Sequence, residues 1–174
     1  MFFLVKLIAN TYLYKIWIRK QFIKNSKFYT LPKKSVGENS KSKVNKIASE
    51  LKKRKCDFQF ITASENNAWL LNIRGNDSKY TPIPYSHILI DVKKKITFFC
   101  DLKKISSSFK KNFKNVKFAD INSIDKILLK INNKKFIIDK NTCSIYFENI
   151  ILKNNRILKQ HDTIYYLKAV KNKK

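Results

Sequence analysis

The stretch NNAWLLNIRGNDSKYTP, Asn66 to Pro82, holds one of the 2 glycines and one of the 2 tryptophans of a chain whose cations are almost all lysine. Glu65 to Leu71 reads as a short helix, with Trp69, Leu70 and Leu71 as core residues. Gly75, Pro82 and Pro84 then punctuate a loop, and Gly75 is expected to relax a turn that needs positive φ. Asn72, Arg74, Asn76, Asp77 and Tyr80 form a polar set, in which Arg74 and Asp77 could close the loop as an ion pair.

Upstream, Val44, Ile47, Ala48 and Leu51 recur at i, i+3, i+4 and i+7 with lysines opposite, which predicts a helix that Ser40 or Ser42 can cap. Between Arg19 and Ser42 the periodicity fails and Pro32 and Gly37 act as breakers, so a basic linker is expected there. The domain is accordingly placed at 39–174, after a helical extension and linker over 1–38. Asp57 to Ala63 reads as a strand. Ser86–Val92 and Lys95–Asp101 read as a hairpin joined by a lysine turn.

Further on, Leu102–Asn112 is helix-like and VKFAD is a strand. A helix from Asn122 carries Ile124, Ile127, Leu128 and Ile131 on one face. KFIID is a strand, Asn141 to Ile150 a helix, and TIYYLKAV a final strand. Such alternation predicts an α/β fold in three α/β/α layers, with a mixed sheet and helices on both faces.

At 174 residues the chain can bury roughly 70% of its unfolded surface, and with 44% hydrophobic and 13% aromatic residues it is too apolar for a disordered tail. The 38 Lys and Arg against 12 Asp and Glu give +26, which raises nucleic acid or an acidic membrane as partners. Both are disfavoured. Arginine, the usual reader of bases and phosphates, is confined to Arg19, Arg54, Arg74 and Arg156. At the N-terminus, Lys6, Asn10 and Lys15 interrupt the apolar run before the ~18 residues of a membrane span. Leu4, Leu7, Ile8, Tyr12 and Ile16 fit an amphipathic helix instead. Cys56, Cys100 and Cys143 are separated and lack a C-x-x-C pair, so each reads as a small apolar residue in a reducing, cytoplasmic setting.

Catalytic signatures are missing. Gly37 and Gly75 cannot build a dinucleotide or Walker loop. His87 and His161 belong to no metal-binding spacing, and His87 is expected as a satisfied strand residue. Asp57, Asp91, Asp101, Asp120 and Asp139 fall at strand ends, where turn and cap roles are expected. Ser106, Ser107 and Ser108 have no nucleophile-elbow context. No catalytic or metal-ligating residue is assigned.

The run Ala68-Trp69-Leu70-Leu71-Asn72, then Arg74-Gly75-Asn76-Asp77 and Thr81-Pro82, resembles the signature of the second, creatinase-like N-terminal domain of Xaa-Pro aminopeptidase, also called aminopeptidase P. Other segments extend the resemblance over about Leu13 to Lys174: Lys15-Ile16-Trp17, Leu31 to Ile47, KKITFFCD, FIIDKNTCSIYFENI and YYLKAVKNKK. Tyr14 stands where the family often has an acidic residue, and Met1–Ala9 has no counterpart.

The resemblance implies a creatinase N-terminal-like fold of ribonuclease H-like topology. It also implies a partner: a pita-bread catalytic domain, or a second subunit, holding two metal ions, usually manganese, through two Asp, one His and two Glu. None of these ligands maps onto this chain, which is expected to need no cofactor of its own and to be inactive alone. Asn72, Arg74, Asn76, Asp77 and Tyr80 become candidates for a domain interface or substrate gate, with Trp69, Gly75 and Pro82 as the structural frame. The competing expectations are a lysine-rich module that binds a polyanion, and a gene fragment without function.

Overall fold

The described residues of the computed structural model are 26–170, Lys33 through its backbone alone. The amphipathic helix expected over Leu4–Ile16 lies outside them. The chain forms β1 (Tyr29–Thr30), a 3-10 turn (Lys33–Ser35), α1 (Ser40–Lys53), β2 (Phe58–Ile61), α2 (Ser64–Leu71) and β3 (Ile73–Arg74). After the loop come β4 (His87–Asp91), β5 (Ile96–Cys100), α3 (Ser107–Lys111), β6 (Val116–Asp120) and α4 (Ile124–Leu128). The last elements are β7 (Lys135–Asp139), α5 (Ile145–Leu152), β8 (Arg156–Gln160) and α6 (Thr163–Ala169).

The expected stripe of α1, Val44, Ile47, Ala48 and Leu51, is buried. Its cap is Asn39, whose side chain accepts from the Ser42 amide at 2.8 Å; Ser40 and Ser42 lie inside the first turn. The β4–β5 hairpin forms as expected, with Lys94 in the left-handed region at φ 69°. Three helices are shorter than expected: α4 ends at Leu128, so Ile131 lies beyond it. The Leu102–Asn112 piece is split into a 3-10 turn capped by Asp101 and helix α3 capped by Ser106, and α5 starts at Ile145 because Ser144 is its cap.

TIYYLKAV, expected as a strand, is helix α6. Its β-branched and aromatic residues favour a strand locally, yet tertiary contacts decide otherwise. Asp162, 2% exposed, caps the helix through the Ile164 amide at 3.0 Å and accepts from Gln59 Nε2 at 2.9 Å and Asn66 Nδ2 at 2.7 Å. That anchor turns the chain, and Ile164 and Leu167, three residues apart, pack into the core. The strand is instead the preceding RILKQ, β8, a half-exposed edge with too few apolar residues to signal itself.

Six strands form one mixed sheet in the order β6-β5-β4-β2-β7-β8. β2, β4 and β5 make an antiparallel meander; β6 joins β5 in parallel, and β7 and β8 extend the other side in parallel. Strand alternation sends Ile61, Ile88, Ile90, Ile96 and Phe98 toward α1, α2, α3 and α6, and Phe60, Leu89, Phe99, Phe136 and Ile138 toward α4 and α5. The result is the expected three-layer α/β/α arrangement.

The described part of the stretch expected as a linker is built into this body. β1 pairs antiparallel with β3, and Phe28, 3% exposed, meets Phe98 edge-on with ring centroids 6.3 Å apart.

Candidate functional site

The loop after α2 starts at Asn72, which ends the helix in the left-handed conformation at φ 56°. Asn tolerates this region because its short amide can bond locally. Its side chain then ties two distant segments: Oδ1 accepts from Lys43 Nζ at 2.7 Å and Nδ2 donates to the Glu38 carbonyl at 3.1 Å. Lys43 lies on the buried face of α1, 3% exposed. It also donates to the Trp69 carbonyl at 2.7 Å, and its ammonium sits 4.1 Å from the indole centroid. Burial is the main force that lowers its pKa to about 8; Arg74 and Lys46 push the same way, and Glu38 opposes them.

Arg74 turns inward. Its Nη1 donates to the carbonyls of Ala68 at 3.1 Å and Ile73 at 3.0 Å. The loop-closing pair with Asp77 is therefore not formed. Asp77 Oδ1 takes Lys104 in a buried ion pair, and Oδ2 accepts from the Tyr85 amide at 2.7 Å.

Gly75 lies between these two anchors, and positive φ is not its reason, since no glycine has it among the described residues. Close approach is the reason. A Cβ here would sit 2.9 Å from Phe28 Cδ1 and 2.9 Å from Pro84 Cα, while the Gly75 amide donates to the Pro82 carbonyl at 3.3 Å.

The structure thus divides the sequence-derived set. Trp69, Asn72 and Arg74 line a cavity of about 230 Å³ with Glu38, Lys43 and Lys168. Asp77 belongs to the second anchor. Asn76 is half-buried, Pro82 is exposed, and Tyr80, 84% exposed, meets only the Lys79 ammonium, 5.1 Å from its ring centroid. Lys43 and Lys104 are the residues sequence reasoning missed. Lys43 precedes Ile47 by one helical turn, so its position in the apolar stripe was the available signal; Lys104 carried none.

Elsewhere the expected modest roles hold. Asp91, Asp101, Asp120 and Asp139 each accept from a nearby backbone amide at a turn, at 2.8–2.9 Å, while Asp57 accepts at 2.9 Å from the amide of Lys135 at the start of β7, 78 residues away. His87 is packed among Phe60, Tyr85 and Phe147, with Nδ1 3.2 Å from the Thr62 carbonyl, and burial lowers its pKa. Cys56 and Cys100 are buried and Cys143 half-buried, all free. Burial raises the thiol pKa to about 12 at Cys100 and about 11 at Cys143, which leaves them unreactive. Among the described residues no three His, Cys, Asp or Glu side chains converge as a metal ion requires, so they do not fit a two-metal centre. No described helix is long and apolar enough to cross a membrane.

A three-layer α/β/α domain with a mixed sheet and a loop tied to α1 and to the turn before α3 is the class these observations define. The profile of the family described as "Creatinase/Prolidase N-terminal domain" matches residues 19–174, and the chain belongs to that family. Among curated relatives, Xaa-Pro aminopeptidase 1 of Dictyostelium discoideum is 28% identical over 155 residues, 87% of this chain and 24% of the relative. A probable Xaa-Pro aminopeptidase P of Laccaria bicolor is 28% identical over 156 residues, 86% of this chain and 24% of the relative. This chain therefore spans about a quarter of their length.

Among solved structures, X-prolyl aminopeptidase from Caenorhabditis elegans, described as a cytosolic enzyme with a di-nuclear active site, superposes with TM-score 0.79 at 22% identity. The match covers 92% of this chain and 27% of that one. Xaa-Pro dipeptidase from Bacillus anthracis follows with TM-score 0.58 at 14% identity, over 77% and 37%. These two likenesses show the fold.

Proposed function

We propose that this chain is the non-catalytic, creatinase-like part of an Xaa-Pro aminopeptidase-type metallopeptidase, which releases N-terminal residues that precede proline. Its role there is domain assembly and control of access to an active site held by an adjoining catalytic domain or a second subunit. The observation that carries this reading is the pairing of near-complete coverage of this chain with only 24% coverage of its Dictyostelium relative. The two-metal chemistry is assigned to the other portion, because the described residues bring no ligand set together.

The loop from Asn72 to Tyr80 supplies the interface in this reading. Asn72 and Arg74 fix its base, Asp77 pins its middle, and Tyr80 faces outward. In this reading the domain proper begins at residue 39, and Phe28, 3% exposed, fastens the preceding segment to its core. A cytoplasmic location goes with the unpaired, unreactive cysteines.

The purified chain, incubated with manganese and a Xaa-Pro peptide, is expected to show no turnover. Turnover that co-purifies strictly with the chain would overturn the assignment. The remaining portion of the Dictyostelium relative, produced separately, is expected to form a complex with this chain in sedimentation velocity. That complex should weaken in a Tyr80→Ala variant, and failure to associate at any concentration tested would remove the assembly role.

A further inference from the structure

The cavity beneath the loop carries an electrostatic imbalance. Lys43, Arg74 and Lys168 converge on it, and the one carboxylate in its wall, Glu38, is already engaged by Lys46 and by the Ser42 hydroxyl. Lys43 approaches from α1, Arg74 from β3 and Lys168 from α6, while Glu38 closes the fourth side ahead of α1. Lys168 donates to Asn66 Oδ1 at 2.6 Å. Among the described residues only Nη1 of Arg74 is engaged, which leaves Nε and Nη2 of its fork without an acceptor. A guanidinium with two free donors beside the Lys43 ammonium, with Lys168 also in the lining, matches the planar geometry of a carboxylate. Trp69, half-buried, lines the cavity with its ring under the Lys43 ammonium.

We propose that this cavity of about 230 Å³ binds a carboxylate through Arg74, with Lys43 and Lys168 as flanking cations. The volume admits a single acidic group with a short stem rather than a cofactor. The carboxylate is that of a free small acid, or that of an Asp or Glu side chain reaching in from an adjoining polypeptide. The inference depends on the cavity alone, so the isolated chain tests it, and its failure leaves the assembly reading standing.

Linkage supplies a readout specific to the site. A bound anion favours the charged form of Lys43, so its pKa must rise from about 8 toward the ordinary lysine value. The experiment follows the Lys43 side-chain resonances of selectively labelled full chain by NMR across pH 6–11. Acetate, succinate and N-acetyl-glutamate amide are titrated separately against a constant potassium chloride background, which screens the general lysine surface.

Saturable binding should raise the Lys43 pKa by about one unit. Arg74→Gln and Lys168→Gln should each weaken binding about tenfold, Arg74→Lys should restore part of it, and Lys79→Gln should change nothing. Lys168 is half-exposed, so its variant folds even where Arg74→Gln does not. Millimolar binding of acetate and N-acetyl-glutamate amide alike marks a pocket for a side chain. Micromolar binding of succinate over acetate marks a free acid. An unmoved Lys43 pKa with all three probes, or an equal shift in Lys168→Gln and the parent, overturns the proposal.

Discussion

Gly75 shows at single-residue scale how the same signal can be read correctly for the wrong reason. A glycine between a helix and two prolines suggests backbone freedom. Here, however, its lack of a Cβ admits the Phe28 ring and the Pro84 backbone at 2.9 Å. Proline backbone cannot step aside, so Gly75→Ala must displace Phe28 or the loop. A loss of about 1–3 kcal/mol follows, the usual penalty for overpacking. Urea unfolding measures it, and a Phe28→Ala/Gly75→Ala double variant should lose less than the sum of the singles because the two sites share one contact. An additive result would mean the crowding is not with Phe28.

At the scale of elements, the loop is held at its base and its middle by buried lysines. Lys104, in the 3-10 turn before α3, reaches Asp77 with both side chains at least nine-tenths buried, at 5% and 9% exposure. Such a pair adds little net stability over apolar residues of the same size, yet breaking it leaves a charge without a partner. Lys104→Met should therefore cost about 3–5 kcal/mol, and Lys104→Met with Asp77→Asn should recover much of that. A chevron or urea series on the three variants checks the cycle.

The same logic explains α6. A capped, hydrogen-bonded Asp162 outweighs the strand propensity of TIYYLKAV, because leaving that carboxylate unpaired costs more than a few tenths of a kcal/mol per residue of propensity.

Across the whole molecule, +26 invites a polyanion. A strongly basic feature is a cleft of about 800 Å³ whose cations are Lys55, Lys134, Lys135, Lys153 and Arg156. Its other lining residues are mostly asparagine, and no aromatic side chain is there to stack a base. Binding of single-stranded DNA or RNA should accordingly fall steeply and linearly in log–log terms with salt, and differ by less than about threefold between sequences. Filter binding at 50 and 200 mM potassium chloride decides it. A sequence preference of a hundredfold would restore the nucleic-acid module as the better reading.

The amino-acid sequence alone determined the layers and most of the elements. The reason is that hydrophobic periodicity reports which face of an element is buried: the stripe of α1, the β4–β5 hairpin and the strands β2, β6 and β7 all declare themselves this way. It also marked the Asn66–Pro82 stretch as special. Tertiary structure alone decided the partners within that stretch, since Arg74 meets backbone carbonyls and Asp77 meets Lys104, 27 residues away. It also decided the helical state of α6, through Asp162 and residues 96 and 103 positions distant. Side-chain pairing across such separations leaves no local pattern, because it depends on which elements the sheet brings together.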